Sequence, residues 1–182
     1  MINVRSILFF LLLNSSQSFC QTKNFKLSDS TFYPGQEIDL DIRFQANARL
    51  LIDSVTFKMM DSLKNFVLCH PNLVLEIQCN TDYRGDSLFN MKLSEQRAIG
   101  IKNWLEHNGA KAENLKTNSQ GERKPIILTP DMSCYSNLPN ELKTSENYIL
   151  TEAFLQQFKA DKKLFEWLNH LNRRTVFRII ST

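Results

Sequence analysis

Beyond Cys20, the 182-residue sequence has no apolar run of the roughly 20 residues that a membrane-crossing helix needs. Histidine is scarce: His70, His107 and His170 are scattered and form no ligand cluster. The four cysteines, Cys20, Cys69, Cys79 and Cys134, never fall in C-x-x-C spacing, so a zinc site has no support. No histidine stands in a motif relation to Cys79 or Cys134, which leaves a cysteine nucleophile without a base and an enzyme without a motif. Excess charge is small, +3, and drops by one if the segment bearing Arg5 is removed. Basic residues are spread out, the Arg173-Arg174 pair is isolated, and basic and aromatic residues do not interleave, so nucleic acid is not an expected partner.

What is present begins with Met1 to Cys20, where Arg5 precedes the apolar run SILFFLLL and then the polar run NSSQS. That three-part pattern reads as a secretory signal and not a span. The Gln17-Ser18-Phe19 context argues against a lipid anchor at Cys20. The mature protein is therefore expected to be exported, and soluble or held at a surface only by what it binds. Removal of the signal leaves Cys69, Cys79 and Cys134, an odd number, compatible with one bridge and one free thiol or with none bridged.

Residues 21–36 are of mixed composition, and Tyr33-Pro34-Gly35 marks a turn. In EIDLDIRF, Glu37 to Phe44, Ile38, Leu40, Ile42 and Phe44 alternate with charged neighbours as in a half-buried strand. Gln45 to Arg49 is a polar connection. Apolar residues at helical spacing from about Leu51 to Leu68 predict a helix stopped by Pro71, followed by a buried strand over LVLEI, Leu73 to Ile77. A second helix buries Ala98, Ile101 and Leu105 and ends at Gly109, and Leu115 to Ser119 is a modest strand candidate before a turn at Gly121-Glu122. Asp131 to Asn147 is irregular, Tyr148 to His170 carries one long or two shorter helices, and TVFRII, Thr175 to Ile180, is a terminal strand. This order predicts an α+β domain over 37–182, a two-layer α/β sandwich on a mixed four-stranded sheet, β-α-β-α-β-β with a helical insertion at about 131–171 before the last strand. The apolar helices of that insertion are expected to pack and not to sense a ligand.

The chemistry concentrates in Asn80 to Arg97, NTDYRGDSLFNMKLSEQR. Asp82 offers a carboxylate, Gly85 permits a tight turn, and Asp82 and Asp86 can cap free amides. Leu93-Ser94 reads as a hydrophobic residue before a helix cap, which would put Arg97 in the first turn. A cation there opposes the helix dipole and calls for an acidic partner. An acid and a fork of donors around one concavity suit a ligand bearing both an amine and a carboxylate.

From Phe44 onward the sequence resembles the OmpA-like peptidoglycan-binding domain. The resemblance is carried by Phe44, Pro71-Asn72, Thr81-Asp82 with Gly85, Asn90 with Leu93-Ser94 and Arg97-Ala98, Gly121-Glu122 with Pro125-Ile126, and Asn172-Arg173-Arg174. It implies binding without chemistry and without a cofactor. By that likeness Asp82 accepts the amine, and Arg97 grips the carboxylate, of the diaminopimelate in a cell-wall stem peptide. Asn80, Thr81, Asn90, Leu93 and Ser94 surround the site, and Gly85, Gly121, Asn172, Arg173 and Arg174 are motif positions of the scaffold. The implied partner is peptidoglycan; the alternative is a protein-interaction module that uses the 131–171 insertion against an outer-membrane or periplasmic protein. Two departures stand out: the family usually has Gly-His where this chain has Cys79-Asn80, and a glycine where it has Ser119.

Overall fold

A computed structural model describes residues 24–44, 53–132, 138–143 and 146–182. The N-terminal signal segment, the connection Gln45 to Arg49, and Cys134 lie outside the described residues.

The strands are β1 (Glu37–Leu40), β2 (Val74–Asn80), β3 (Leu115–Gly121) and β6 (Thr175–Ser181), and they form one sheet in the order β1-β6-β2-β3. Strand β6 runs antiparallel to both β1 and β2, whereas β2 and β3 are parallel, joined by helix α2 (Ser87–His107). Helix α1 (Ser54–Cys69) precedes β2. The mixed four-stranded α+β architecture is therefore the one the pattern predicts.

Alternation along β2 puts Leu75, Ile77 and Cys79 on one face, where they join Met60, Leu63 and Phe66 of α1, Ala98, Ile101 and Leu105 of α2, and Phe177 and Ile179 of β6 in one buried cluster. Burying one such aliphatic side chain is worth about 1.5–3 kcal/mol, so this cluster fixes the sheet and the ends of its strands. Phe25, in the segment before β1, stacks on Phe66 at 5.6 Å between centroids and closes that core.

Several boundaries move. Strand β1 stops at Leu40, beyond which Ile42 is still buried and Phe44 makes only an isolated bridge. Helix α1 is capped by Asp53, whose side chain accepts from the Thr56 amide, and ends at Cys69 with His70 as its C-cap, just before Pro71. Strand β2 runs on to Asn80 and β3 to Gly121.

The segment before β6 holds a two-stranded ribbon of β4 (Ile127–Leu128) and β5 (Tyr148–Ile149), which the sequence pattern did not reveal, and helices α3 (Glu152–Gln156) and α4 (Lys162–Asn172). Leu128, Leu150, Leu155 and Leu168 form a second buried cluster there. Asn172 ties this unit together: its carboxamide accepts from the Ile126 amide and donates to the Leu150 carbonyl, each at 2.8 Å.

Candidate functional site

The carboxyl end of β2, the start of β6, the segment after β1 and the middle of α2 enclose a cleft of about 280 Å³. Its lining includes Arg43, Phe44, Asn80, Arg97, His170 and Arg174. Opposite Cys79 and Asn80 the register shifts and β3 carries one extra residue, Gln120, between Ser119 and Gly121; there the Asn80 amide donates to the Arg174 carbonyl and the Thr81 amide to the Gly121 carbonyl.

Helix α2 does not begin at Ser94. Its cap is Asp86, which accepts from the Leu88 and Phe89 amides, so the helix starts a full two turns earlier than the Leu93-Ser94 pattern suggests, taking about 3.6 residues per turn. Ser94 is buried mid-helix, with its hydroxyl donating to the Met91 carbonyl and accepting from the Gly121 amide at 3.0 Å. Ser94 thus pins β3 to α2 and caps nothing. Arg97 lies well inside the helix, not in its first turn, and the conflict with the helix dipole disappears.

Glycine 121, at φ 54°, lets the two elements meet: a Cβ there would lie 3.2 Å from the Met91 amide nitrogen and 3.3 Å from the Asn90 carbonyl carbon. Asn90 organises the loop from below, its amide nitrogen donating to the Arg84 carbonyl and to Glu122 Oε2. Gly85 turns the loop with φ 104°.

The two predicted poles are not a pair: Arg97 lines the cleft, whereas Asp82 does not line it and is bonded to Arg173, which does. Asp82 is engaged by Arg84 and Arg173: Arg84 Nη2 lies 2.8 Å and Arg173 Nη1 2.6 Å from its Oδ2. Burial pushes the Asp82 carboxyl up, but the hydrogen bonds and charges of these two arginines outweigh it and hold the group below its ordinary range. Neither counter-ion was read from the sequence; the only signal for them was their place beside the motif, Arg84 within it and Arg173 in the Asn-Arg-Arg run.

Arg97 has no carboxylate partner among the described residues. Its guanidinium carbon stands 5.0 Å from the centroid of the Phe44 ring, its Nε is buried without a hydrogen bond, and the group lines the cleft. Burial, reinforced by the charge of Arg173, makes its proton less tightly held than usual, although an arginine stays cationic. Arg43 is paired with Asp41 and Asp53, and Arg174 donates to the Lys124 carbonyl. Arg97 is therefore a desolvated cation facing a small polar cleft, which an anionic oxygen pair would complete.

Cys79 is buried among the core residues with its Sγ 3.8 Å from Thr175 Oγ1, and burial pushes its thiol up to about 12. It is a neutral core group that also contributes to the lining of the cleft. Leu93 is half-buried in α2. Among the described residues, no set of His, Cys, Asp and Glu could hold a metal ion, and Cys69 and Cys79 are free thiols.

Comparison with known proteins gives a consistent result. The model of the OmpA family matches residues 43–131. The peptidoglycan-associated lipoprotein of Pasteurella multocida is 32% identical over 85 residues, covering 47% of this chain and 57% of the relative. That of Agrobacterium fabrum is 33% identical over 67 residues, covering 37% of this chain and 38% of the relative. The chain thus spans little more than half of the first and well under half of the second. Among solved structures, an outer membrane protein from Borrelia burgdorferi superposes with a TM-score of 0.51 at 17% identity, covering 84% of this chain and 95% of that one, a likeness of fold.

Proposed function

We propose, for a chain that belongs to the OmpA family through residues 43–131, that it binds cell-wall peptidoglycan non-covalently and so links components of the envelope. The reading is of a binding module and not of an enzyme. The ligand group is the diaminopimelate of a stem peptide: its carboxylate goes to Arg97 and its amine to Asp82. The observation that carries this is the guanidinium of Arg97, held in the cleft wall with no carboxylate partner among the described residues. An incoming carboxylate makes charge-assisted, two-pronged hydrogen bonds there in a partly dry site, and Asn80, Thr81 and Asn90 hold the surrounding loop in place. A periplasmic location follows from such a ligand; among the described residues no helix is long and apolar enough to cross a membrane.

The test is sedimentation of the protein with purified peptidoglycan, followed by titration with a diaminopimelate-containing stem peptide. Arg97→Ala is expected to weaken binding by on the order of 2–5 kcal/mol, because it leaves the ligand carboxylate desolvated and unpaired. Equal sedimentation of the native protein and of the double variant Asp82→Ala, Arg97→Ala would sink the site.

A second reading, a protein-interaction module, is favoured by a groove on the insertion lined by Leu138, Pro139, Leu164 and Trp167. It gains if the stem peptide gives no binding signal while an envelope protein co-purifies and is lost on Trp167→Ala.

A further inference from the structure

An ionised carboxylate has about four lone-pair sites for hydrogen bonds. At Asp82 four protein donors already converge, three of them crowded on Oδ2 and one on Oδ1. Oδ1 accepts from the Arg84 amide at 3.1 Å, and Oδ2 accepts from Arg84 Nε at 3.2 Å, Arg84 Nη2 at 2.8 Å and Arg173 Nη1 at 2.6 Å. With a side chain only 9% exposed, Asp82 has one acceptor site left, on Oδ1, and an ammonium engages Oδ2 only when one of these donors leaves.

The two arginines are not equally free to go. Asp82 is the only carboxylate paired with Arg173 among the described residues. Arg84 already has a second one: its Nη1 lies 2.7 Å from Glu166 Oε1 on α4, and its side chain is 42% exposed. The loop that carries it is also tied to the insertion through Gln156, which donates to the Tyr83 hydroxyl at 3.0 Å. Arg84 can therefore release Asp82 without losing its last counter-ion or its anchorage.

We propose that Arg84 is a specificity-determining residue for the Asp82 end of the site. Its guanidinium occupies the carboxylate in the free protein, a ligand ammonium displaces it charge for charge, and Glu166 retains the displaced group. A neutral ligand group cannot make the same exchange, because it would replace two charge-assisted bonds with one ordinary bond. The inference rests on the reading that Asp82 receives an amine. It adds that the affinity of the native protein is reduced by the fraction of molecules in which Arg84 has not yet moved.

The experiment is calorimetric titration of a diaminopimelate-containing stem peptide into the native protein, Arg84→Ala, Glu166→Gln and the double variant, with melting curves to show that each is folded. Removing the internal competitor is expected to tighten binding about five- to tenfold. Removing the charge of Glu166, whose side chain is 56% exposed, should weaken binding about threefold in the native background and have no effect once Arg84 is gone. Weaker or unchanged binding by Arg84→Ala overturns the proposal, as does an equal effect of Glu166→Gln in both backgrounds. If all the folded proteins fail to bind the peptide, the ligand reading itself fails, and the proposal falls with it.

Discussion

At Asp82 the side chains set a clear acid limit. Its carboxyl is held below its ordinary value in the folded protein by Arg84 and Arg173, so the pairing contributes stability at neutral pH that is lost as pH falls through the folded value, below about pH 4. Denaturant midpoints measured near neutral pH and near pH 3 should therefore drop further for the native protein than for Asp82→Asn. At neutral pH the variant itself should be less stable by about 1–2 kcal/mol, a figure reduced for the solvent that reaches both arginines. Asp82 and Arg97 were legible as candidates because an acid and a base stand at either end of one polar stretch of sequence. Their separation was not, because Arg173 reaches Asp82 from 91 positions away and sequence spacing says nothing of that.

Helix α2 shows how an element can be hidden by its own buried face. The inward stripe is Asn90, Ser94, Ala98, Ile101 and Leu105, at helical spacing throughout, yet its first half is polar. Hydrophobic periodicity therefore begins late, and Ser94 after Leu93 looks like a start. The polar half exists because it faces loop and strand backbone: Asn90 serves the Arg84 carbonyl and Ser94 the Gly121 amide. Moving the cap identifies the residue to change. Asp86→Ala should lower stability by about 1 kcal/mol, as loss of a cap does, while Ser94→Ala should cost about 1–3 kcal/mol because it strands the buried Gly121 amide. Gly121→Ala should be worse than a surface change in thermal melting, by on the order of 1–3 kcal/mol, since it combines φ 54° with a Cβ 3.2 Å from backbone. The β4-β5 ribbon was missed for a different reason. Its strands are two residues each, too short for any period to register.

At the scale of the molecule, a sheet core and an insertion core meet at the three consecutive residues that precede β6. Asn172 bonds to Ile126 just before β4 and to Leu150 in the insertion, Arg173 to Asp82 in the loop, and Arg174 to the Lys124 carbonyl. The insertion thus packs on its own apolar residues and is coupled to the site through polar contacts, which pattern reading shows only as an isolated basic pair after an asparagine. Asn172→Ala would remove both partners of a buried amide and a buried carbonyl, a loss of about 1–3 kcal/mol for each group left unsatisfied. The effect should be local. Amide hydrogen exchange should accelerate at Ile126 and across α3 and α4, while Leu75 and Ile77 of β2, within the sheet core, keep their protection. Because Arg173 follows directly on α4, the same variant should loosen the grip on Asp82 and bring its carboxyl back toward the ordinary carboxylate range, observable by carboxyl titration in NMR. Uniform acceleration of exchange across β2 and the insertion alike would instead mean that the two cores unfold as one unit, with residues 172–174 sharing in a global contact and not forming a joint.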